Sequence, residues 1–94
     1  MNRDTLLGLL KEERYPEYMI DNTIAKLEHL QPNIASIFAE WATTGKIPEI
    51  SIEGDTFSTL THDFGMKPIG AFLTLDWLVR EPQRARAALK KGIK

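Results

Sequence analysis

The sequence predicts an all-α fold, a compact bundle of five or six helices with at most one short strand near residues 49–53. Three observations support this class. Apolar residues recur at helical spacing along most of the 94-residue chain. Four of the five prolines stand where such a pattern begins, a position at which proline costs a helix no hydrogen bond. Only one segment alternates with period two, so a strand there has no predicted partner.

Size and composition restrict the organisation of the chain. Ninety-four residues predict a single domain, residues 1–94, whose core is too small for a large enclosed ligand cavity, and we expect no cofactor. The hydrophobic fraction of 43% and charged fraction of 27% are typical of a folded globular protein. The absence of cysteine favours a reducing compartment, and we expect a cytoplasmic protein. The first apolar run is too short for a signal peptide or a membrane span.

Three helices are predicted in the first half of the chain. Asp4 is the expected N-cap of a helix over residues 5–13. A second helix begins at Pro16 and stops at Gln31, before the restraint that Pro32 imposes on the residue preceding it. Pro32 opens a third helix, which Gly45 ends with a left-handed cap. The third helix has the clearest amphipathic pattern, at Ile34, Ile37, Phe38 and Trp41.

The segment after Gly45 alternates Ile50 and Ile52 with polar residues, as a short strand would. Because no second strand pattern is present, we prefer an extended connector pinned by Ile47, Ile50 and Ile52. The alternative is a strand that pairs with another chain.

Three more helices are predicted after this connector. The first begins at Gly54 or Asp55 and is broken by Gly65. The second covers residues 68–81 and is apolar around most of its circumference, which is typical of a buried central helix. Asp76 and Arg80 of this helix have the spacing of an exposed ion pair. The last helix covers residues 82–91 and is followed by Gly92.

The central stretch resembles a known DNA-binding motif. Its inner positions are Leu60 in one helix, Gly65 and Met66 at a turn, and Ala71, Leu75 and Leu78 in the next helix. This pattern is similar to the helix-turn-helix core of winged-helix domains, and the likeness extends over residues 50–82. It implies a helix-turn-helix-like C-terminal half. Residues 66–82 also resemble segments of small uncharacterised bacterial proteins, which implies no activity.

The outward positions of this motif do not suit DNA. They hold Ile69, Phe72, Leu73 and Asp76, three apolar groups and a carboxylate that would repel phosphate. We therefore interpret the helix face formed by Ile69, Leu73 and Trp77 as packing or as a possible protein interface. Trp77 is the residue that we expect to dominate such an interface, because large aromatic residues are the commonest hot spots.

Charge is unevenly distributed along the chain. Residues 80–94 hold six basic side chains against Glu81, a local charge of +5. Because the net charge is −1, residues 1–79 carry −6. The simplest interpretation is that the basic residues complement the helix dipole and the acidic body. Alternatively, Arg84, Arg86, Lys90 and Lys91 contact DNA or RNA phosphates, or the basic end of one copy meets the acidic body of another.

No residue pattern indicates catalysis or metal binding. Neither His29 nor His62 has a second histidine at helical spacing, and Asp63 beside His62 would point in a different direction. We expect no enzyme and no metal site. The predicted role is a non-catalytic protein-interaction or dimerisation module, a possible homodimer without membrane association. The alternative is a nucleic-acid-binding transcriptional regulator.

Overall fold

The computed structural model describes residues 2–92, and within them the chain is predominantly helical. Six helices and one two-stranded hairpin confirm the all-α class. In chain order the elements are α1 (Arg3–Glu12), α2 (Glu17–Leu27), α3 (Pro32–Thr44), β1 (Ser51–Ile52), β2 (Asp55–Thr56), a π-helix (Thr59–Asp63), α4 (Pro68–Arg80) and α5 (Pro82–Gly92). In this part of the chain no helix is long and apolar enough to cross a membrane.

The Cα positions form two compact units, Met1–Gly45 and Lys46–Lys94. The first contains α1, α2 and α3, and the second contains the hairpin and the remaining helices. The single domain expected for residues 1–94 stays a prediction.

The start of α1 differs from the prediction. Asn2, and not Asp4, is the N-cap, and its side-chain oxygen accepts a hydrogen bond from the Thr5 amide at 2.8 Å. Asparagine is as good a cap as aspartate, because both provide a short side-chain acceptor. Asp4 instead lies in the first turn, where its charge is favourable near the positive end of the helix dipole.

The end of α2 also differs from the prediction, because the helix stops at Leu27 and not at Gln31. The His29 amide donates to the Lys26 carbonyl, a bond to the third residue back that tightens and closes the last turn. Leu30 is still buried although it lies beyond the helix. An apolar residue in the connection thus continued the helical pattern without extending the helix.

The bounds of α3 and its left-handed cap are confirmed. Pro32 is its first residue, and Gly45 has a φ of 73° and donates to the Trp41 carbonyl at 2.7 Å. Ile34 and Phe38 are buried. Ile37 and Trp41 are only half-buried, so the predicted four-residue core stripe has two fully covered members.

The segment after Gly45 forms an antiparallel hairpin within its own unit. Ser51 pairs with Thr56 and Ile52 pairs with Asp55, so the preference for an unpaired connector is wrong. Glu53 and Gly54 make the turn, both with positive φ, as tight hairpin turns require. The second strand has only two residues, which is too short to show alternation in the sequence.

The helix predicted to begin near Asp55 starts after this hairpin. The Thr56 hydroxyl oxygen accepts a hydrogen bond at 3.0 Å from the amide of Thr59, the first residue of the π-helix. The Phe64 amide donates to the Thr59 carbonyl, the five-residue spacing of a π-helix. Gly65, with a φ of 70°, ends this segment before α4.

Helix α4 is the most covered element of its unit. Every residue from Pro68 to Val79 is buried or half-buried. Phe72 packs on Phe57 with ring centroids 4.9 Å apart, and Ala85 and Leu89 form the buried side of the adjacent α5. Asp76 is also buried, so its ion pair with Arg80, predicted to be exposed, has one covered partner.

Candidate functional site

The predicted interface residues lie along one side of α4 but differ in exposure. Ile69 has no exposed surface, whereas Leu73 and Trp77 are half-buried. Of these three residues, only Leu73 and Trp77 can therefore contact a partner in this conformation. They lie one helical turn apart, which places an aliphatic and an aromatic side chain next to each other on a rigid element.

Two of the four predicted phosphate-binding residues have carboxylate partners in their own unit. Arg84 donates to Glu81 on the preceding turn at 2.9 Å, and this pair is exposed. Arg86 donates to Asp55, whose side chain retains only 9% of its exposure, against 40% for Arg86. Arg86 thus connects α5 to the hairpin, a structural role that sequence spacing could not reveal, because 31 residues separate the two partners.

A shallow groove lies between the hairpin turn and the outer side of α5. Its volume is about 480 Å³. The lining residues are Glu53, Pro82, Gln83, Arg86, Ala87 and Lys90. The charges of this groove are mixed, because Glu53 lines it together with Arg86 and Lys90. Lys91 is exposed but does not line the groove.

A second surface pocket lies in the first unit, where α1 and α3 end. It has a volume of about 300 Å³ and is lined by Leu9, Glu12, Glu13, Trp41, Ala42 and Gly45. Trp41 stacks on Phe38 at a centroid distance of 6.0 Å with an interplanar angle of 24°, which fixes the indole as one wall. We call this the acidic pocket, because its only charged lining residues are two glutamates.

The sequence interpretation missed the acidic pocket. It placed Trp41 on the apolar stripe of α3 and assigned no role to Glu12 or Glu13. Trp41 falls on the apolar stripe of α3, but it lies in the last turn, where a stripe can run past the edge of the core. The position of Trp41 in the last turn was the only signal in the sequence that its indole lies at the edge of the core.

Both histidines lie on the surface. His29 follows the end of α2, and His62 is in the π-helix beside the exposed Asp63. Among residues 2–92 there is no group of three or more histidine, aspartate or glutamate side chains placed to hold a metal ion.

Comparisons of the chain with protein-family models, curated proteins and solved structures found no match. A functional assignment therefore has to rest on these surfaces and their chemistry.

Proposed function

We propose that the chain is a non-catalytic protein-interaction module that associates with itself, with Leu73 and Trp77 of α4 at the contact surface. The observation that carries this proposal is the partial exposure of these two large apolar side chains, which lie one turn apart on α4. We place the module in the cytoplasm, because a chain without cysteine suits a reducing compartment.

Physical chemistry favours this surface over a purely structural role. An indole that is only partly covered in one chain gains stability when a partner removes the rest of its apolar area from water, at about 25 cal/mol per Å². Tryptophan is also among the commonest residues at the energetic centre of interfaces. Leu73 extends the apolar area beside it. A helix presents both side chains in fixed positions, which reduces the entropy lost on binding.

Sedimentation velocity over a concentration series tests the proposal. We expect wild-type chains to associate reversibly, and Trp77→Ala to raise the dissociation constant by about tenfold or more, as loss of a hot spot does. Leu73→Gln serves as a second variant because it removes less packing volume. Both variants must keep the far-UV circular dichroism of the wild type for the comparison to hold.

Tyr18→Ala is the matched control, because Tyr18 is 83% exposed and lies on α2, away from α4 in the sequence. We expect it to leave the dissociation constant unchanged. A wild-type chain that stays monomeric at every concentration contradicts the proposal. So does an association that Tyr18→Ala weakens while Trp77→Ala and Leu73→Gln do not.

The second candidate is nucleic-acid binding through α5, in keeping with the likeness to winged-helix domains. The exposure of Lys90 and Lys91 favours it, since neither lysine has a carboxylate partner among the described residues. Arg84 and Arg86 would have to leave their carboxylates to contact phosphate. Binding to a labelled duplex that falls steeply with added salt would support this candidate. No binding at low salt would exclude it.

A further inference from the structure

The acidic pocket of the first unit has the lining that a lysine side chain requires. Leu9 and Ala42 offer apolar surface to an alkyl stem, and the Trp41 indole forms an aromatic wall. Glu12 is exposed and provides a carboxylate for an ammonium group. The volume of about 300 Å³ is at the lower end for ligand pockets, so it suits one side chain and not a whole helix.

The same chain carries a suitable side chain at its basic end. Lys91 is exposed in the last turn of α5 and has no ion pair within residues 2–92. Lys90, in contrast, lines the groove that also contains Glu53, and Arg84 and Arg86 are already paired. Lys91 is therefore the basic residue of α5 with the fewest local carboxylates to satisfy its charge.

The overall charge distribution favours the same pairing. Residues 80–94 carry +5 and residues 1–79 carry −6, so the basic end of one copy attracts the acidic body of another. Complementary charges of this kind steer association and fix the orientation of the partners. Each copy carries one acidic pocket and one Lys91, so self-association can pair every pocket with a lysine and no different protein is needed.

We propose that the acidic pocket of one copy binds Lys91 of a second copy, with the ammonium group at Glu12 and the alkyl stem against the apolar lining. This inference rests on the proposed self-association and names a charged contact in it. It is independent of Leu73 and Trp77, so the two assignments can fail separately.

Charge reversal followed by mixing of full-length chains tests the contact. We expect Glu12→Lys alone and Lys91→Glu alone each to raise the dissociation constant of self-association by about fivefold or more, because an attraction of up to about 1 kcal/mol becomes a repulsion. An equimolar mixture of the two variants should recover the wild-type dissociation constant to within about twofold, because in the mixed complex the reversed pocket of one variant meets the reversed position 91 of the other, and the unchanged Glu12 meets the unchanged Lys91.

The controls reverse comparable charges elsewhere. Glu28→Lys changes an exposed glutamate at the end of α2, as Glu12 is at the end of α1. Lys26→Glu changes an exposed lysine in the last turn of its helix, as Lys91 is in the last turn of α5. We expect both controls to leave the dissociation constant within about twofold of wild type, since neither residue lines the pocket or belongs to the basic end.

Each other outcome overturns the inference in a distinguishable way. If the wild-type chain is monomeric, both this contact and the proposed function fail. If it associates but the reversals behave like their controls, the contact is wrong and the proposed function stands. The contact is equally wrong if both reversals weaken association but the mixture does not recover it, because the two residues then act at separate places.

Discussion

Met1–Gly45 and Lys46–Lys94 are both helical, but different interactions fix their local structure. In the first unit, proline, an asparagine cap and a terminal glycine mark the helix ends, and buried apolar stripes hold the helices. In the second unit, the hairpin is connected to α5 through the ion pair of Asp55 with Arg86, and the Thr56 hydroxyl accepts from the amide that begins the π-helix, that of Thr59. The first unit depends mainly on periodic apolar contacts, and its ion pair of Arg3 with Asp21 is exposed, whereas the ion pair of the second unit has a buried carboxylate.

Local patterns explain which helix bounds were predicted: α3, α4 and α5 begin at the prolines that mark them in the sequence, whereas the helix expected at Asp55 is replaced there by a strand. A cap or a helical stripe is a local pattern, and it can be recognised within a few residues of sequence. An ion pair between residues 31 positions apart leaves no such pattern. Substitutions that separate apolar packing from polar pairing therefore test whether the two units differ in the way the structure indicates.

The largest effect should come from core phenylalanines. We expect Phe72→Ala to lower the free energy of unfolding by about 3 to 5 kcal/mol, because Phe72 is fully buried and loses its contact with Phe57. Phe38→Ala in the first unit should cost about 1 kcal/mol less, since its neighbour Trp41 is half-buried and can relax into the vacated space. Urea unfolding followed by circular dichroism measures both changes.

Equal m-values for the two variants and the wild type are the control, because a change in m-value would show that the end states have changed. A larger loss for Phe38→Ala than for Phe72→Ala would contradict the expectation that Trp41 relaxes into the space that Phe38 vacates.

The sequence predicted the helical class, the bounds of α3 and the covered state of α4, because these depend on local periodicity and on proline and glycine positions. It missed the strand Asp55–Thr56, since two residues carry no pattern, and it placed a helix there instead. The π-helix was also beyond prediction. Its extra residue per turn changes hydrogen bonding without changing which residues are apolar.

Site prediction was more limited than fold prediction. The apolar surplus of α4 drew attention to the side that carries Ile69, Leu73 and Trp77, but burial of Ile69 depends on neighbours that periodicity does not identify. The basic residues of α5 were recognised as a charged group, yet only the folded chain shows that Arg86 is paired with Asp55. The acidic pocket needs residues from two helices and could not be predicted from either one.

Ion pairs give an intermediate effect that distinguishes the two units. Asp55→Ala should lower the free energy of unfolding by about 1 to 2 kcal/mol, less than for a fully buried pair, because the half-exposed Arg86 can still reach water. Asp21→Ala is the matched control in the first unit, where Arg3 and Asp21 are 56% and 88% exposed. Its cost should stay below about 0.5 kcal/mol.

A double-mutant cycle with Arg86→Ala assigns the Asp55 effect to the pair itself. We expect the double variant to be less destabilised than the sum of the single variants, by about 0.5 kcal/mol or more. Strict additivity would show that Asp55 stabilises the hairpin without its partner, and the polar connection between the hairpin and α5 would then lose its support.

The smallest effects come from glycines, and here the sign is the test. Gly45 ends α3 and Gly65 ends the π-helix, each with a φ near 70°. Alanine at either position should lower the free energy of unfolding by about 1 kcal/mol, because a side chain disfavours the left-handed conformation whichever unit contains it.

Gly8 lies inside α1, and a Cβ built there meets nothing within 4 Å. Gly8→Ala should therefore stabilise the chain by about 0.5 to 1 kcal/mol through its higher helix propensity. Thermal or urea unfolding of the three variants measures these changes. Destabilisation by Gly8→Ala would mean that α1 is not a regular helix at this position. Equal costs at Gly45 and Gly65 would show that the left-handed backbone conformation, unlike ion pairing, contributes equally to the stability of the two units.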